Sequence, residues 1–441
     1  MKQISSSGLV RAIRKWDTVA LVINVIIGAG IFGLPSRIYQ LAGGYSLLAY
    51  LVCALLVVLI ILCFAEISSR FTETGGPYLY AREAFGPAVG FEVGWLMWLA
   101  RLTAFAALCN LFIGYLSYFW PPASSALWRA IIITVIVASL TLVNVVGVRE
   151  AALVSNIFTV GKLIPLLFFI IAGSFFVDFQ RFSSGPQLNY SSFSTAVLLL
   201  VFAFSGFEMV VIPAGEALDP RRHIPFALLT GISVVALIYI SIQVVCIGTL
   251  PELASSERPL ADASSRVMGA VGASIISAGA LISITGTLNA IMLTGPRVLF
   301  AMAEQGQLPR ALSRTHRRFH TPYVAVLVSA AIMLWLTLSG TFIYALTIST
   351  IIRLITYAAT CIALPVMRRR SGAQPAMFSA PAGTAISIAA LALCGWLLSS
   401  SAWSEAGIVA VAAILGLFIY GAHHLMKRIF RPVPAATEIQ R

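Results

Sequence analysis

The sequence predicts an all-α integral membrane protein with twelve transmembrane helices, the first and sixth discontinuous, in a single domain over residues 1–441. Three observations predict it. The 441 residues are 59% hydrophobic and only 10% charged, whereas a soluble domain carries about 25% charge. Apolar runs recur along the chain at close to the ~20 residues that cross a bilayer. Two of these runs, at Asn24–Gly33 and at Phe202–Glu208, are interrupted by glycine.

In order, the runs cover about 18–41, 45–66, 88–119, 126–147, 152–177, 193–215, 225–250, 270–302, 322–339, 341–366, 381–401 and 405–426. The first contains Gly28, Gly30 and Gly33, and each glycine costs a helix roughly 0.8–1 kcal/mol relative to alanine, which invites local unwinding. Between the second and third runs, residues 67–87 carry Gly75-Gly76-Pro77-Tyr78-Leu79-Tyr80, an apolar-aromatic pattern that suggests a short interfacial helix. The third and eighth runs are longer than a bilayer needs and are expected to tilt. The fifth holds Lys162 and Pro165, and the sixth is broken at Ser205-Gly206. Before the eighth, residues 251–269 carry Glu252, Glu257, Asp262 and Ser264 and read as a lid helix. After it, the basic stretch 297–321 ends at Pro322.

An even number of spans puts both termini on one side. Arg11, Arg14, Lys15, Arg70, Arg82, Arg149, Arg221, Arg222, Arg310, Arg314, Arg317, Arg318, Arg368, Arg369, Arg370, Lys427, Arg428 and Arg431 fall in one set of loops, and Arg37, Arg181, Arg258 and Arg266 in the other. The positive-inside rule then places both termini in the cytoplasm, and the expected location is the cytoplasmic (inner) membrane. No short apolar segment with a small-residue cleavage site precedes the first run, so no cleaved signal peptide is expected.

Several functional classes are disfavoured. The formal net charge of +13 is scattered over short loops rather than gathered in a nucleic-acid patch. Cys53, Cys63, Cys109, Cys246, Cys361 and Cys394 lie in apolar runs without a metal spacing, and read as reduced thiols. His223, His316, His320, His423 and His424 fall near ends or loops, which leaves no zinc pair for an intramembrane enzyme. Gly28-Ala29-Gly30 follows no strand and lacks a P-loop lysine, so it is no nucleotide site. No cofactor, metal or obligatory protein partner is expected.

Charge inside a bilayer costs at least ~2.5–3.5 kcal/mol on insertion scales and so needs a reason. Glu92, Arg101, Lys162, Glu208 and Arg353 lie well inside runs, while Glu66 and Glu216 sit near cytoplasmic ends where snorkelling accounts for them. Lys162 reads as a structural lysine paired with an acid, as a fixed cation against the carbonyls of the broken first helix, or as a proton carrier. Glu208 reads as a capped carboxylate or as a proton-linked or gate-coupled acid. Arg101 and Arg353 read as structural arginines bonded to carbonyls or an acid, and Arg101 also as an attractor of an acidic substrate.

The breaks themselves suggest what binds. Unwound backbone at membrane depth survives only where protein or a water-filled cavity covers it, and paired breaks in two halves of a chain mark a transporter's binding site. The half-helix starting near Gly30 presents free N–H groups to a carboxylate, and Ala29 and Gly30 leave the backbone approachable. Carbonyls near Ile26 and Ile27, and around Phe202, Ala203 and Ser205, are acceptors for an ammonium. Together they describe the zwitterionic end of an amino acid, with Phe202 as a gate and Phe207 as a pocket wall.

In these residues the chain resembles the amino acid–polyamine–organocation superfamily, in particular its bacterial amino acid permeases and light-chain-type L-amino acid exchangers. The resemblance spans about residues 14–370. It rests on Ile27-Gly28-Ala29-Gly30-Ile31-Phe32, on Gly75-Gly76-Pro77-Tyr78-Leu79-Tyr80 with Gly86, on Lys162, on Phe202 to Glu208, and on Gly295-Pro296-Arg297, Leu308-Pro309 and Thr321-Pro322. It implies a LeuT-type fold of 5+5 inverted repeats, spans 1–5 at 18–177 and spans 6–10 at 193–366, with spans 11–12 at 381–426 outside them. It further implies α-carboxylate recognition at Ala29 and Gly30, α-amine recognition by carbonyls at Ile26, Phe202 and Ser205, an aromatic gate at Phe202, and Lys162 in place of sodium beside a hydroxyl such as Ser283. Phe207-Glu208 departs from the Trp-Asn often found in light-chain-type exchangers.

The expected activity is secondary active, sodium-independent transport of L-amino acids with neutral side chains, by exchange or by symport with protons. The alternatives are a carrier of cationic amino acids or polyamines and, in another class, a non-transporting amino acid sensor or a channel.

Overall fold

The computed structural model describes residues 3–4, 10–11, 13–28, 30–72, 75–146, 151–183, 189–212, 214, 217–317, 319, 321–370, 372 and 374–429. Ala29, Glu216 and His320, singled out above, lie outside the described residues, as do Arg149, Arg318 and Arg431. Apart from a two-residue antiparallel pairing of Gln3–Ile4 with Val10–Arg11 and a parallel bridge between Ile13 and Ala217, the regular structure of the described residues is helical.

The first run is split into α1 (Lys15–Ile26), α2 (Gly30–Gly33) and α3 (Pro35–Ala42). Pro35 has no N–H to give, but Leu34 donates to Gly30 O at 3.0 Å and Ile38 to Leu34 O at 2.9 Å, so helical bonding carries across from α2 into α3. Then follow α4 (Ser46–Ser68), the short α5 (Pro77–Phe85) where the interfacial helix was expected, α6 (Pro87–Phe119), α7 (Ala126–Val146) and α8 (Ala151–Ser174). The second half holds α9 (Tyr190–Phe204), α10 (Pro220–Thr249), α11 (Pro259–Glu304), α12 (Tyr323–Ser339), α13 (Phe342–Arg369), α14 (Gly383–Ser399) and α15 (Trp403–Ile429).

Each run expected from the sequence contains helix, though the sixth leaves it after Phe204. Among the described residues nine helical stretches are long and apolar enough to cross a membrane, and Val160–Ser174, Tyr323–Ser339 and Gly383–Ser399 are shorter apolar helices. Part of the stretch read as a lid helix, residues 259–268, is the first segment of α11, set off by Gly269, whose φ of 65° and ψ of −161° bend the 46-residue helix there. At ~1.5 Å per residue, the rest of α11 and the 33 residues of α6 outreach a ~30 Å hydrocarbon core.

Packing places the breaks centrally. α6 packs along both α11 and α13, α1 lies against α8 and α10, and α9 against α4 and α13. α7 and α15 form the rim and leave Leu127, Val135, Leu142, Val411, Ile414 and Phe418 exposed. An apolar rim around a polar-lined centre suits a lipid surround.

On the arginine-rich side, Glu66 is 1% exposed. Its carboxylate takes two bonds from Arg368, at 2.7 and 2.5 Å, one from Arg70 at 3.2 Å and one from Ala380 N at 2.9 Å. Snorkelling therefore does not describe Glu66. It is the buried centre of a charged junction between α4, α13 and the segment before α14.

Candidate functional site

The first break is a hydrogen-bonding fault. Gly28 N, which a continuous helix would send to Asn24 O, bonds instead to Ile26 O at 2.7 Å. That strips Asn24 O of its helical donor. The Lys162 ammonium, buried on α8, replaces it, donating to Asn24 O and to Ile27 O at 2.9 Å each. The Lys162 amine thus lies against the carbonyl end of the broken first helix, and no acid is paired with it among the described residues. Ser283 Oγ of α11 donates to the same Ile27 O at 3.4 Å, so the hydroxyl and the ammonium meet at a shared acceptor.

The second break follows α9. Ser205 turns its N–H and its hydroxyl onto Phe202 O, at 3.2 and 2.7 Å. Gly206 then takes φ 116°, in the region L side chains avoid, and a three-residue 3-10 turn, Phe207–Met209, resumes the chain. Glu208 stabilises this corner by accepting from Gly206 N at 2.9 Å.

The two breaks touch. A β-carbon at Gly206 would lie 2.6 Å from Val25 O, and one at Gly30 would lie 2.6 Å from the α-carbon of Ala203. The bare face of Gly30 thus serves its close approach to Ala203. Between the breaks stands the buried Tyr239 of α10, its hydroxyl 2.9 Å from Ile26 O and 3.1 Å from Ala203 O. Tyr115 of α6 donates to Phe32 O at 2.7 Å and anchors the outer half-helix.

Most acceptors expected to face an ammonium are therefore engaged by protein donors: Ile26 O, Ile27 O, Phe202 O and Ala203 O each receive at least one bond. A carbonyl has two lone pairs; those of Ile26, Ile27 and Phe202 each take two donors here, and Ala203 O takes one. Phe202 and Ser205 are 7% and 6% exposed and line the break. Phe207 is fully buried, edge-on to Phe64 and tilted against Tyr357, so it belongs to an aromatic cluster rather than a pocket wall.

The charges expected within spans segregate. Glu208 is paired with Arg353 of α13 and accepts from Tyr357 OH at 2.8 Å. Arg353 is thus the structural arginine bonded to an acid that its sequence position suggested. Arg101 of α6 donates to Met97 O at 3.1 Å and lies with Glu208 and Arg353 around a small cavity. Glu92 sits elsewhere, against α15 at Gly416.

Tyr239 and Tyr115 were not singled out from the sequence. A tyrosine in an apolar run carries no signal of its own, and the spacing that makes these two important, 213 residues from Ile26 and 83 from Phe32, is visible only in three dimensions.

Comparison with known proteins agrees with this architecture. The amino acid permease family matches over residues 18–431. A serine/threonine exchanger, SteT, of Bacillus subtilis (strain 168) is 29% identical over 96% of this chain and 98% of its own length. From the same organism, a methylthioribose transporter is 26% identical over 96% of both chains, and a branched-chain amino acid permease, BcaP, 27% identical over 93% and 92%.

Proposed function

The chain belongs to the amino acid permease family, and from that premise we propose that it is a secondary transporter of L-amino acids, working by alternating access with twelve spans and both termini in the cytoplasm. Spans 1–5 (18–177) and 6–10 (193–366) form the inverted repeats, and the meeting of one break from each repeat makes the substrate site. The α-carboxylate goes to the backbone at Ala29 and Gly30. The α-ammonium goes to the carbonyls at Ile26, Phe202 and Ser205, taking the place of donors that hold Ile26 O and Phe202 O here. Phe202 closes over the ligand.

The observation that carries this reading is the Lys162 ammonium on Asn24 O and Ile27 O. A fixed cation there does the electrostatic work a coupling sodium ion would do at an unwound helix end, which supports sodium independence. Exchange or proton symport supplies the driving force. Relatives named for serine and threonine or for branched-chain amino acids support an amino acid substrate and agree with the neutral side chains expected from the sequence. The unpartnered guanidinium nitrogens of Arg101 weigh against a cationic amino acid or polyamine.

The test is counterflow in proteoliposomes with sodium replaced by choline on both sides. Undiminished uptake of labelled amino acid is expected. Uptake that requires a sodium gradient would reject the ion-substitution reading.

A further inference from the structure

The charges beside the second break do not balance. Arg101, Arg353 and Glu208 are 3%, 6% and 6% exposed, and they share one small cavity with Met97, Ala100 and Thr356. Glu208 accepts from Arg353, Tyr357 and Gly206 N. Arg101 spends one nitrogen on Met97 O, and its Nε and Nη2 have no partner among the described residues. A guanidinium cannot shed its proton in a protein, and buried charge is normally paired. Two arginines facing one carboxylate therefore leave a surplus of one positive charge in a desolvated place.

The free nitrogens are specific. Nε and Nη2 lie on one edge of the guanidinium and point two N–H bonds in parallel, the fork that fits the two oxygens of a carboxylate. Elsewhere in this protein the same edge of Arg368 grips Glu66 by two bonds at 2.7 and 2.5 Å. The cavity has room for no more than about one water in this conformation, so a carboxylate reaches the Arg101 edge only when the site opens during transport. It is also adjacent to the breaks: Glu208, on its wall, bonds Gly206 N, and Gly206 abuts Val25.

We propose that Arg101, backed by Arg353, is a subsite for the side-chain carboxylate of a dicarboxylic amino acid. This rests on the proposed function, since the α-groups of the same ligand occupy the breaks. It departs from the neutral side chains expected from the sequence.

The experiment is competition against labelled amino acid in proteoliposomes, together with thermal shift of the purified protein. The ligands are L-glutamate, L-aspartate, their amides, L-serine, L-leucine, chloride and acetate. The acids are expected to compete at least about tenfold better than their amides, and Arg101→Gln is expected to shrink that ratio towards one. Amides equal to or better than the acids, or a ratio unchanged in Arg101→Gln, would overturn the subsite while leaving the transporter reading standing. Chloride or acetate acting as well as glutamate would assign the charge to a free anion and overturn it too. No response to any amino acid would overturn the transporter reading, and the subsite with it.

Discussion

Gly30 and Ala203 approach so closely that a β-carbon on Gly30 would lie 2.6 Å from the α-carbon and 2.7 Å from the methyl carbon of Ala203. The breaks in α1–α2 and after α9 are therefore a packed joint, formed where one residue has no side chain and its neighbour has the smallest. This geometry makes the two breaks a single site.

Gly30→Ala forces overpacking against backbone, which cannot rotate away, at a cost of about 1–3 kcal/mol. Transport is expected to fall sharply. Adding Ala203→Gly removes the clash with the methyl group but leaves the clash with the backbone, so the double variant is expected to recover part of the loss, with a coupling of about 0.5–3 kcal/mol. Strictly additive losses in uptake and melting temperature would mean that crowding between these two residues is not the cause.

Lys162→Met keeps much of the side chain's bulk and removes the ammonium. Asn24 O and Ile27 O lose their lysine donor, and an unsatisfied buried acceptor costs about 1–3 kcal/mol. Exchange in proteoliposomes is expected to drop by at least about tenfold. Wild-type rates in this variant would return Lys162 to ordinary packing.

Tyr239→Phe preserves the ring and deletes the hydroxyl shared by Ile26 O and Ala203 O. An interhelical hydrogen bond inside a membrane is worth roughly 0.6–2 kcal/mol. The variant is expected to melt lower in detergent and to bind substrate more weakly, as isothermal titration would read. An unchanged Kd alongside a lowered Tm would confine the tyrosine to stability.

The breaks were legible in the sequence because glycine clusters inside apolar runs are rare and carry a local mechanism. Lys162 was legible because charge inside such a run demands a partner, and its partners proved to be the carbonyls of the broken helix. Arg101, Glu208 and Arg353 were each visible, but not their convergence, since Glu208 and Arg353 stand 145 residues apart. Phe207 looked like a pocket wall because an aromatic beside a break is ambiguous, and only its packing on Phe64 and Tyr357 decides it. Glu66 was misread because helix-end position says nothing about Arg368, 302 residues away.

At Gly269 nothing stands within 4 Å of where a β-carbon would be. A side chain at that corner would meet no neighbour, so the demand for glycine there comes from its torsion angles alone. The φ of 65° and ψ of −161° belong to a region open essentially to glycine alone, and a side chain would add about 1–3 kcal/mol of strain without a single collision. Residues 259–268 of that long rod thus turn on one glycine, while Leu260, Ala261, Ala263 and Ser264 stay buried against the body of the protein.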